Sequence, residues 1–392
     1  MKIALFTETY LPDINGVSTH IKTLRSGLEQ FGHEVLIVTA DKHCKHHYVQ
    51  DGVLHCPSVA VKRLYGFGVA APYSRRRMKL IEAFAPDIIH IHHEFGIGLS
   101  GVIAAKRLSK PLVYTLHTMY DQYVFYIAPR PLVALATKAS HQYERFIANK
   151  AHALTGPSQK CVEYFQRIGV DKPASVIPNS ADLNLFGLGK VSEAAKSRAM
   201  ERFRLPKDKT LAVFVGRLGK EKSIDVLLQY WAQTIKPGHH LHLVIIGGGP
   251  DKEDLERLSF ELGIADQVTF TGVISNHELP ACFAACDVYV TASLSEMNSI
   301  SMLEAMASGL PVLQRYDELN KNQIDEGQNG WFFHSAEELA EHLLRIAAMP
   351  PEEKDAMKQM VYQSVIDRGP RNSTGYMLEI YARAIDEKNK GG

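Results

Sequence analysis

The sequence has few cysteines, no long apolar run and almost no excess of either charge. Its 392 residues include 5 Cys, an odd number without a Cys-x-x-Cys pair, which disfavours a disulfide framework and a zinc ribbon. No apolar run approaches the ~18 residues of a transmembrane helix, and the apolar start Ile3–Phe6 is too short for a signal peptide. With 44 Lys and Arg against 43 Asp and Glu, the chain lacks the broad basic field typical of nucleic-acid binders. These absences predict a cytoplasmic protein without a nucleic-acid partner.

Apolar runs of strand length alternate with helical stretches along the chain. Lys2–Phe6 is typical of a strand and Val17–Phe31 of a helix, and the pattern continues until a polar stretch at 192–209 interrupts it. It restarts with a strand at Thr210–Val215, and the last part, Pro351–Lys388, is helical. Short, continuously apolar strands are expected in a parallel sheet that helices cover on both faces.

At about 150 residues per domain, the length predicts two domains. We therefore expect an α/β protein with two doubly wound, Rossmann-like domains at residues 1–190 and 191–370. A C-terminal helix at 371–392 is expected to pack back on the first domain. Because ligands bind beyond the carboxyl ends of parallel strands, the site is expected in a cleft between the two domains.

Two glycine-containing turns follow predicted strands. Gly16 follows the first strand and opens a helix; the unpaired N–H groups at such a helix N-terminus suit a phosphate. A plain strand-to-helix turn is an equal alternative. Gly247-Gly248-Gly249-Pro250 lacks the GxGxxG spacing of a dinucleotide site and indicates a tight turn with Pro near the start of a helix.

Two cations flank the turn after the strand at Thr210–Val215. Arg217 and Lys222 lie in Gly216-Arg217-Leu218-Gly219-Lys220-Glu221-Lys222. There they could bind a diphosphate, the guanidinium as a fork and the ammonium as a point charge. Solvated surface charges are the commoner alternative.

The most informative segment runs from Ser295 to Val312. Glu296 ends a turn after a strand, and Glu304 follows eight residues later inside the next helix. The segment Asn298, Ser299, Ile300 and Ser301 is expected to form the N-terminus of that helix, with N–H groups that face the cleft. Glu304 has apolar neighbours, so its carboxylate is expected to point partly inward and to require a polar partner.

These motifs together resemble the retaining glycosyltransferases of family 4, which have the GT-B fold. The matching elements are the Asn15-Gly16 turn, Gly216-Arg217-Leu218 with Lys222, Ile177-Pro178-Asn179, and Glu296-x7-Glu304 followed by Ala305-Met306-Ala307-Ser308-Gly309-x-Pro311-Val312. The resemblance covers nearly the whole chain. It implies an enzyme that transfers a hexose from a nucleotide-sugar donor with retention of configuration.

The resemblance also implies roles for individual residues. Glu296 accepts hydrogen bonds from donor-sugar hydroxyls, Glu304 binds the ribose, and Gly16 provides a backbone contact to phosphate. His117, after a strand of the first domain, contacts the sugar. No Asp-x-Asp occurs in the sequence, so no metal and no cofactor are expected.

Instead of a metal, Arg217, Lys222 and the helix N-terminus at Ser299-Ile300 would stabilise the leaving diphosphate. Because a phosphate oxygen takes the acceptor proton in this family, no protein base is assigned.

A closer resemblance, to the bacterial 1,2-diacylglycerol 3-glucosyltransferases, rests on Thr115–Tyr123, Tyr316–Asn320 and Gly327–Gly330. It implies glucose transfer from UDP-glucose to diacylglycerol by an enzyme at the inner face of the cell membrane. A soluble or polysaccharide acceptor and a non-catalytic nucleotide-binding GT-B protein are the alternatives. The chain departs from the family at Met297-Asn298-Ser299, where many members have Gly-Phe-Gly, and at Ser180 in place of Gly, which leaves sugar choice open.

Three further clusters have competing interpretations. Arg75, Arg76 and Arg77 begin an amphipathic segment that either contacts an anionic membrane or packs on the sheet. Tyr120 and Tyr123 either form an acceptor lip or belong to the core. His90, His92 and His93 could be metal ligands, but on a strand His93 points away from the other two, so three ligands are not expected to converge.

Overall fold

The computed structural model describes residues 1–12, 15–60, 68–119, 121, 130–366 and 370–390. The chain divides into two compact units, one formed by Met1–Asn179 with Pro370–Gly392 and the other by Ser180–Gly369. The division comes earlier than the expected boundary at residue 190. Ala181 and Phe186 explain the difference, because both are buried in the hydrophobic core of the second unit.

The strands of the described chain fall into two sheets. In chain order they are β1 (Lys2–Thr7), β2 (Glu34–Asp41), β3 (Tyr48–Gln50), β4 (Val53–Ala60), β5 (Gly68–Ala70), β6 (Ile88–Ile91), β7 (Leu112–Thr115), β8 (Ala153–Gly156), β9 (Ala174–Val176), β10 (Thr210–Val215), β11 (Leu241–Ile246), β12 (Val268–Gly272), β13 (Val288–Thr291), β14 (Val312–Arg315) and β15 (Gly330–Phe333).

The helices alternate with these strands, as the sequence predicts. They are α1 (Gly16–Gln30), α2 (Arg75–Phe84), α3 (Gly96–Leu108), α4 (Val133–Lys150), α5 (Gln159–Arg167), α6 (Glu193–Arg202), α7 (Ile224–Thr234), α8 (Lys252–Glu261), α9 (Leu279–Ala285), α10 (Ile300–Ala307), α11 (Ala336–Ala348), α12 (Pro351–Ile366) and α13 (Pro370–Lys390). Among the described residues, no helix has the length and hydrophobicity that crossing a bilayer requires.

The sheet of the first unit has the spatial order β3-β4-β2-β1-β6-β7-β8-β9, and β5 pairs with β4. Its pairs are parallel except β3 with β4 and β4 with β5. Strand β1 lies between β2 and β6, so the carboxyl ends of β1 and β6 form the point where the strand order reverses.

The C-terminal helix α13 belongs to the first unit and packs against α1. Met377, Ile380 and Tyr381 are buried in the same core as Ile21 and Leu28 of α1. The approach is close, since a Cβ on Gly27 would lie 2.1 Å from Oγ1 of Thr374. This contact explains a glycine in the last turn of α1, where helix propensity favours other residues.

The sheet of the second unit is wholly parallel, with the order β12-β11-β10-β13-β14-β15. Its order reverses between β10 and β13, where a ligand site is expected in a doubly wound sheet. Large apolar side chains fill the core on both sides of these strands, with Trp231, Phe214, Phe283 and Phe333 almost fully buried. A core of this kind holds the loops at the carboxyl ends of β10 and β13 on a rigid base.

Candidate functional site

The predicted donor residues of the second unit come from the two loops at the reversal point of its sheet. The first loop leaves β10 at Gly216 and includes a short 3-10 turn at Lys220–Lys222. Leu218 in this loop is fully buried, and its N–H donates to the carbonyl of Gly248 at 2.9 Å. Arg217 and Lys222 therefore extend from an anchored loop.

The three glycines after β11 support this loop by close backbone packing. A Cβ on Gly247 would lie 1.9 Å from the carbonyl oxygen of Gly216, and a Cβ on Gly249 would lie 2.2 Å from that of Leu218. Gly247 also has a φ of +144°, a backbone conformation that residues with a Cβ rarely adopt. The tight-turn interpretation of these residues is therefore confirmed, and their function is to hold the Arg217 loop.

We expect Gly247→Ala to destabilise the second unit by about 3 kcal/mol, because the new Cβ must displace the Gly216 carbonyl and the backbone is strained. Both tryptophans of the chain, Trp231 and Trp331, are buried in this unit. Urea denaturation followed by tryptophan fluorescence measures the effect. Gly238→Ala is the matched control, since a Cβ at Gly238 meets nothing within 4 Å. Equal denaturation midpoints for the two variants would contradict the packing argument.

The two predicted donor-binding cations of the loop, Arg217 and Lys222, are each paired with a carboxylate. The Arg217 guanidinium donates to Oε1 of Glu221, from Nε at 3.0 Å and from a terminal nitrogen at 2.5 Å. Lys222 donates to Oε1 of Glu296 at 2.6 Å, and the side chains of this pair are 17% and 18% exposed. The pairing orients both cations without removing them from solvent contact, as a site for an anionic ligand requires.

The second loop is held against the first through the backbone of Glu221. The carbonyl of Glu221 accepts hydrogen bonds from Oγ of Ser295 at 2.7 Å and from Oγ of Ser293 at 3.2 Å. These bonds fix the approach of Glu296 to Lys222. Glu221 and the two serines are site residues that the sequence interpretation missed; the four-residue spacing of Arg217 and Glu221 was the available signal.

Helix α10 begins where the sequence predicts, with Ser299 as its N-cap. The Ser299 hydroxyl accepts from the N–H of Met302 at 3.3 Å. Ser301 in the first turn donates to the carbonyl of Val215 at 2.9 Å, which ties the helix N-terminus to the end of β10. Asn298 and Glu304 are both buried, in agreement with the inward orientation expected of Glu304.

In the first unit, Gly16 opens α1 in the predicted position. The helix has a reciprocal cap in which Asn15 Oδ1 accepts from the N–H of Ser18 and the Ser18 hydroxyl accepts from the N–H of Asn15, both at 2.9 Å. A Cβ on Gly16 would meet nothing within 4 Å, and its φ is not positive. Neither packing nor backbone conformation requires glycine here, and the contact of Gly16 with a phosphate stays a prediction.

His117 lies beside two other histidines at the carboxyl edge of the first sheet. Nε2 of His117 and Nδ1 of His92 are 3.0 Å apart, and one ring nitrogen each of His20, His92 and His117 lie within 4.8 Å of one another. Three imidazoles are a competent ligand set for zinc, although one ring nitrogen of His92 and one of His117 are hydrogen-bonded to each other. Residues from three elements meet here, which the spacing of His90, His92 and His93 did not reveal.

Burial determines the charge of this histidine cluster. Desolvation lowers the pKa of His20 to about 4 and holds the pKa values of His92 and His117 well below their usual range. The three rings are therefore neutral at pH 7 and can each donate one hydrogen bond and accept another. His90 lies behind them, with Nδ1 2.8 Å from the Tyr381 hydroxyl and Nε2 2.6 Å from Oγ1 of Thr115.

A GxGxxG spacing does occur in the chain, at Gly96–Gly101, and it opens helix α3 after β6. The N-terminus of this helix is already occupied by a carboxyl group, because the N–H of Ile97 donates to Oε1 of Glu8 at 2.5 Å. A Cβ on Gly98 would lie 1.6 Å from the carbonyl oxygen of His93. The glycines thus permit close packing, and the Glu8 carboxyl stands where a dinucleotide site would place a pyrophosphate.

The predicted membrane contact at the start of α2 is wrong for Arg77. This side chain is buried and donates to the carbonyl of Ala71, while Met78 and Ile81 of the same helix are also buried. The apolar stripe therefore packs on the protein core. Arg75 and Arg76 are exposed. Tyr120 and Tyr123 lie outside the described residues.

Matches to known proteins agree with this geometry. Residues 14–185 match the family described as Glycosyltransferase Family 4, and residues 195–363 match Glycosyl transferases group 1. The chain is 30% identical to the alpha-monoglucosyldiacylglycerol synthase of Acholeplasma laidlawii, over 100% of this chain and 99% of that protein. It is 28% identical to the enzyme of the same name from Streptococcus pneumoniae, over 99% of this chain and 87% of that one.

Solved structures show the same fold at lower sequence identity. Anabaena HepE in complex with UDP and glucose superposes with a TM-score of 0.74 at 17% identity, covering 97% of this chain and 99% of that chain. Sucrose-phosphate synthase from Thermosynechococcus elongatus gives a TM-score of 0.73 at 19% identity, covering 97% and 98%. The predicted GT-B architecture is confirmed, and the chain belongs to the family 4 glycosyltransferases.

Proposed function

We propose that this enzyme transfers glucose from UDP-glucose to diacylglycerol, with retention of configuration and without a metal ion. The main support for a nucleotide-sugar donor is the ion pair of Lys222 with Glu296. It lies with Arg217 on the loops at the reversal point of the second sheet. Diacylglycerol as the acceptor is supported by the names of the relatives from Acholeplasma laidlawii and Streptococcus pneumoniae.

In the proposed reaction the anomeric carbon of glucose leaves UDP and bonds to the acceptor oxygen. Negative charge develops on the departing diphosphate, which Arg217, Lys222 and the N-terminus of α10 stabilise. Glu296 accepts hydrogen bonds from glucose hydroxyls, and Glu304 from the ribose. The acceptor proton passes to a phosphate oxygen of the leaving group, so no protein base takes part. For His117 we propose contact with the donor sugar.

We also propose that the first unit binds the membrane surface where its acceptor resides. Leu135 and Phe146, which share one face of α4, are exposed by 67% and 48%. The Lys150 ammonium lies 5.4 Å from the Phe146 ring centroid, and Arg75 and Arg76 are exposed on α2. Exposed apolar side chains beside cations are typical of surfaces that bind anionic bilayers.

The direct test is UDP release from UDP-glucose in the presence of EDTA, with and without diacylglycerol in anionic liposomes. We expect release that requires the lipid and persists in the chelator, and a glycolipid product whose anomeric configuration is that of the donor. Release without lipid would replace diacylglycerol by a soluble acceptor. Loss of release in EDTA would overturn metal independence, and no release or UDP binding at all would overturn the donor assignment.

A further inference from the structure

The hydrogen bonding of the histidine cluster in the first unit, formed by His20, His92 and His117, is incomplete. Nε2 of His20 and Nε2 of His92 are shielded from solvent, and neither has a hydrogen-bond partner among the residues that the structure describes. A buried polar nitrogen without a partner is unfavourable. Two such nitrogens in one cluster point to a ligand that completes it.

The hydrogen bond made by His20 determines which of its nitrogens is available to that ligand. Nδ1 of His20 lies 3.0 Å from Oδ1 of Asn179. Because an amide oxygen only accepts, Nδ1 carries the ring proton and Nε2 keeps its lone pair. Histidines that bind metal ions in proteins usually donate from their second nitrogen to an oxygen atom in this way. Nε2 of His20 is therefore prepared as a metal ligand.

His92 and His117 provide two further nitrogens. Nδ1 of His92 and Nε2 of His117 are 3.0 Å apart, and two nitrogens on one tetrahedral zinc ion are about 3.3 Å apart, given Zn–N bonds of about 2.0 to 2.1 Å. A zinc ion replaces their hydrogen bond when the shared proton moves to the other nitrogen of the ring that carries it, so that both lone pairs face the ion. One nitrogen from each of the three rings lies within 4.8 Å of the other two, and the third ligand has to approach by a side-chain rotation.

The charge and chemistry of the three rings suit a transition metal. Burial lowers the pKa of His20 to about 4 and holds the pKa values of His92 and His117 well below their usual range. The rings are therefore neutral at pH 7, and a metal ion does not have to compete with protons for their lone pairs. A ligand set of imidazoles alone favours zinc and its neighbours over magnesium and calcium. Both ring nitrogens of His90, behind the cluster, are already hydrogen-bonded.

We propose that His20, His92 and His117 bind a zinc ion and that zinc bound there inhibits the enzyme. An ion on the ring of His117 competes with the contact to the donor sugar that is proposed for this histidine. The zinc site follows from the geometry of the cluster, whereas the inhibition rests on the proposed function.

The test of the site is calorimetric titration with zinc chloride alone, on metal-free full-length protein without a histidine tag. We expect one zinc ion per chain in the wild-type protein. In His20→Gln the affinity is expected to fall by at least about 100-fold, because even the loss of a residue that merely orients a metal ligand costs about 10- to 100-fold. The matched control is His46→Gln, the same change at an exposed histidine of the first unit, which is expected to bind zinc as the wild type does.

Melting temperatures provide a second measurement. Zinc is expected to raise the melting temperature of the wild type and of His46→Gln but not that of His20→Gln, since a ligand stabilises only the folded state that binds it. The melting temperature of His20→Gln without zinc shows whether the variant is folded.

The rate of UDP release from UDP-glucose tests the inhibition. We expect zinc to stop the wild-type enzyme in the concentration range in which it binds, and EDTA to restore the rate. At the same zinc concentrations, His20→Gln is expected to keep its own zinc-free rate.

The outcomes separate the zinc site from the proposed function. No zinc binding by the wild type, or equal affinities of the wild type and His20→Gln, would overturn the site, and a loss of binding in His46→Gln alone would place the ion at residues 43–47 instead. Binding without inhibition would overturn the inhibitory role. If the zinc-free wild-type enzyme releases no UDP from UDP-glucose, the proposed function fails, and the titration still decides whether the histidines bind zinc.

Discussion

Lys222→Ala is expected to lower kcat/KM for UDP-glucose by roughly 10³-fold, because it removes a preorganised cation from the departing diphosphate. The loss is enlarged by Glu296, whose carboxylate lies 2.6 Å from the ammonium in the intact enzyme. Without the ammonium, that negative charge faces the diphosphate uncompensated. We therefore expect both turnover and the affinity for UDP itself to fall, as measured by UDP release and by calorimetric titration with UDP.

The matched control for this experiment is Lys220→Ala. Lys220 lies in the same 3-10 turn, two residues before Lys222, but it is exposed. Lys220→Ala changes the net charge by the same amount as Lys222→Ala. We expect its turnover to stay within about twofold of the wild-type value, because exposed charges in water interact weakly with a ligand. A similar loss in both variants would assign the effect to overall charge and would refute a specific role for Lys222.

The alternation of strands and helices could be predicted because it depends on local patterns. The predicted strand at Thr210–Val215 has the observed bounds, and the one predicted at Lys2–Phe6 extends one residue further, to Thr7. Strand β10 is an almost continuous apolar run whose four central residues are buried, as expected in a parallel sheet that helices cover on both faces. By contrast, β3, with the sequence Tyr48-Val49-Gln50, is exposed throughout, so no apolar pattern marks it.

The parts of the site that could be predicted are those whose residues are close in sequence or belong to a known motif. Arg217, Lys222 and Glu296 were predicted in this way, and the structure places Lys222 and Glu296 in contact. The histidine cluster was not, because His20, His92 and His117 come from α1 and from the segments after β6 and β7. Only the strand order of the folded sheet brings them together. The misassigned Arg77 shows the same limitation, since a pattern of three arginines does not reveal which one points inward.

The side-chain amides that contact the loop carrying Glu296 could not have been predicted, for a related reason. The side-chain amides of Asn320 and Gln323 donate hydrogen bonds to the backbone carbonyls of Glu296 and Met297. Because every residue has a backbone carbonyl, the sequence does not show which carbonyl accepts such a bond. The substitution of Met297-Asn298-Ser299 for glycine-containing sequence raised the question of how the loop is held. Only the contacts made by its carbonyl groups answer that question.

Glu296→Gln is expected to separate recognition of the sugar from recognition of the nucleotide. Glutamine keeps the side-chain shape but loses the charge and one of the acceptor oxygens that the proposed contacts with glucose hydroxyls require. We expect kcat/KM for UDP-glucose to fall by about 10²-fold, the scale of losing a charged hydrogen-bond acceptor from a buried polar site. Removing this negative charge also frees Lys222 to interact with the diphosphate, so the affinity for UDP alone is expected to be unchanged or higher.

This opposite response of substrate turnover and UDP affinity distinguishes Glu296→Gln from Lys222→Ala, in which both fall. Glu253→Gln, at an exposed position on α8, is the control for the loss of one carboxylate and is expected to match the wild-type enzyme in both measurements. If Glu296→Gln weakened UDP binding as much as it lowered turnover, Glu296 would act by holding Lys222 in place rather than by binding the sugar. The ion pair would then be the functional unit, and the selection of glucose would have to come from other residues of the loop.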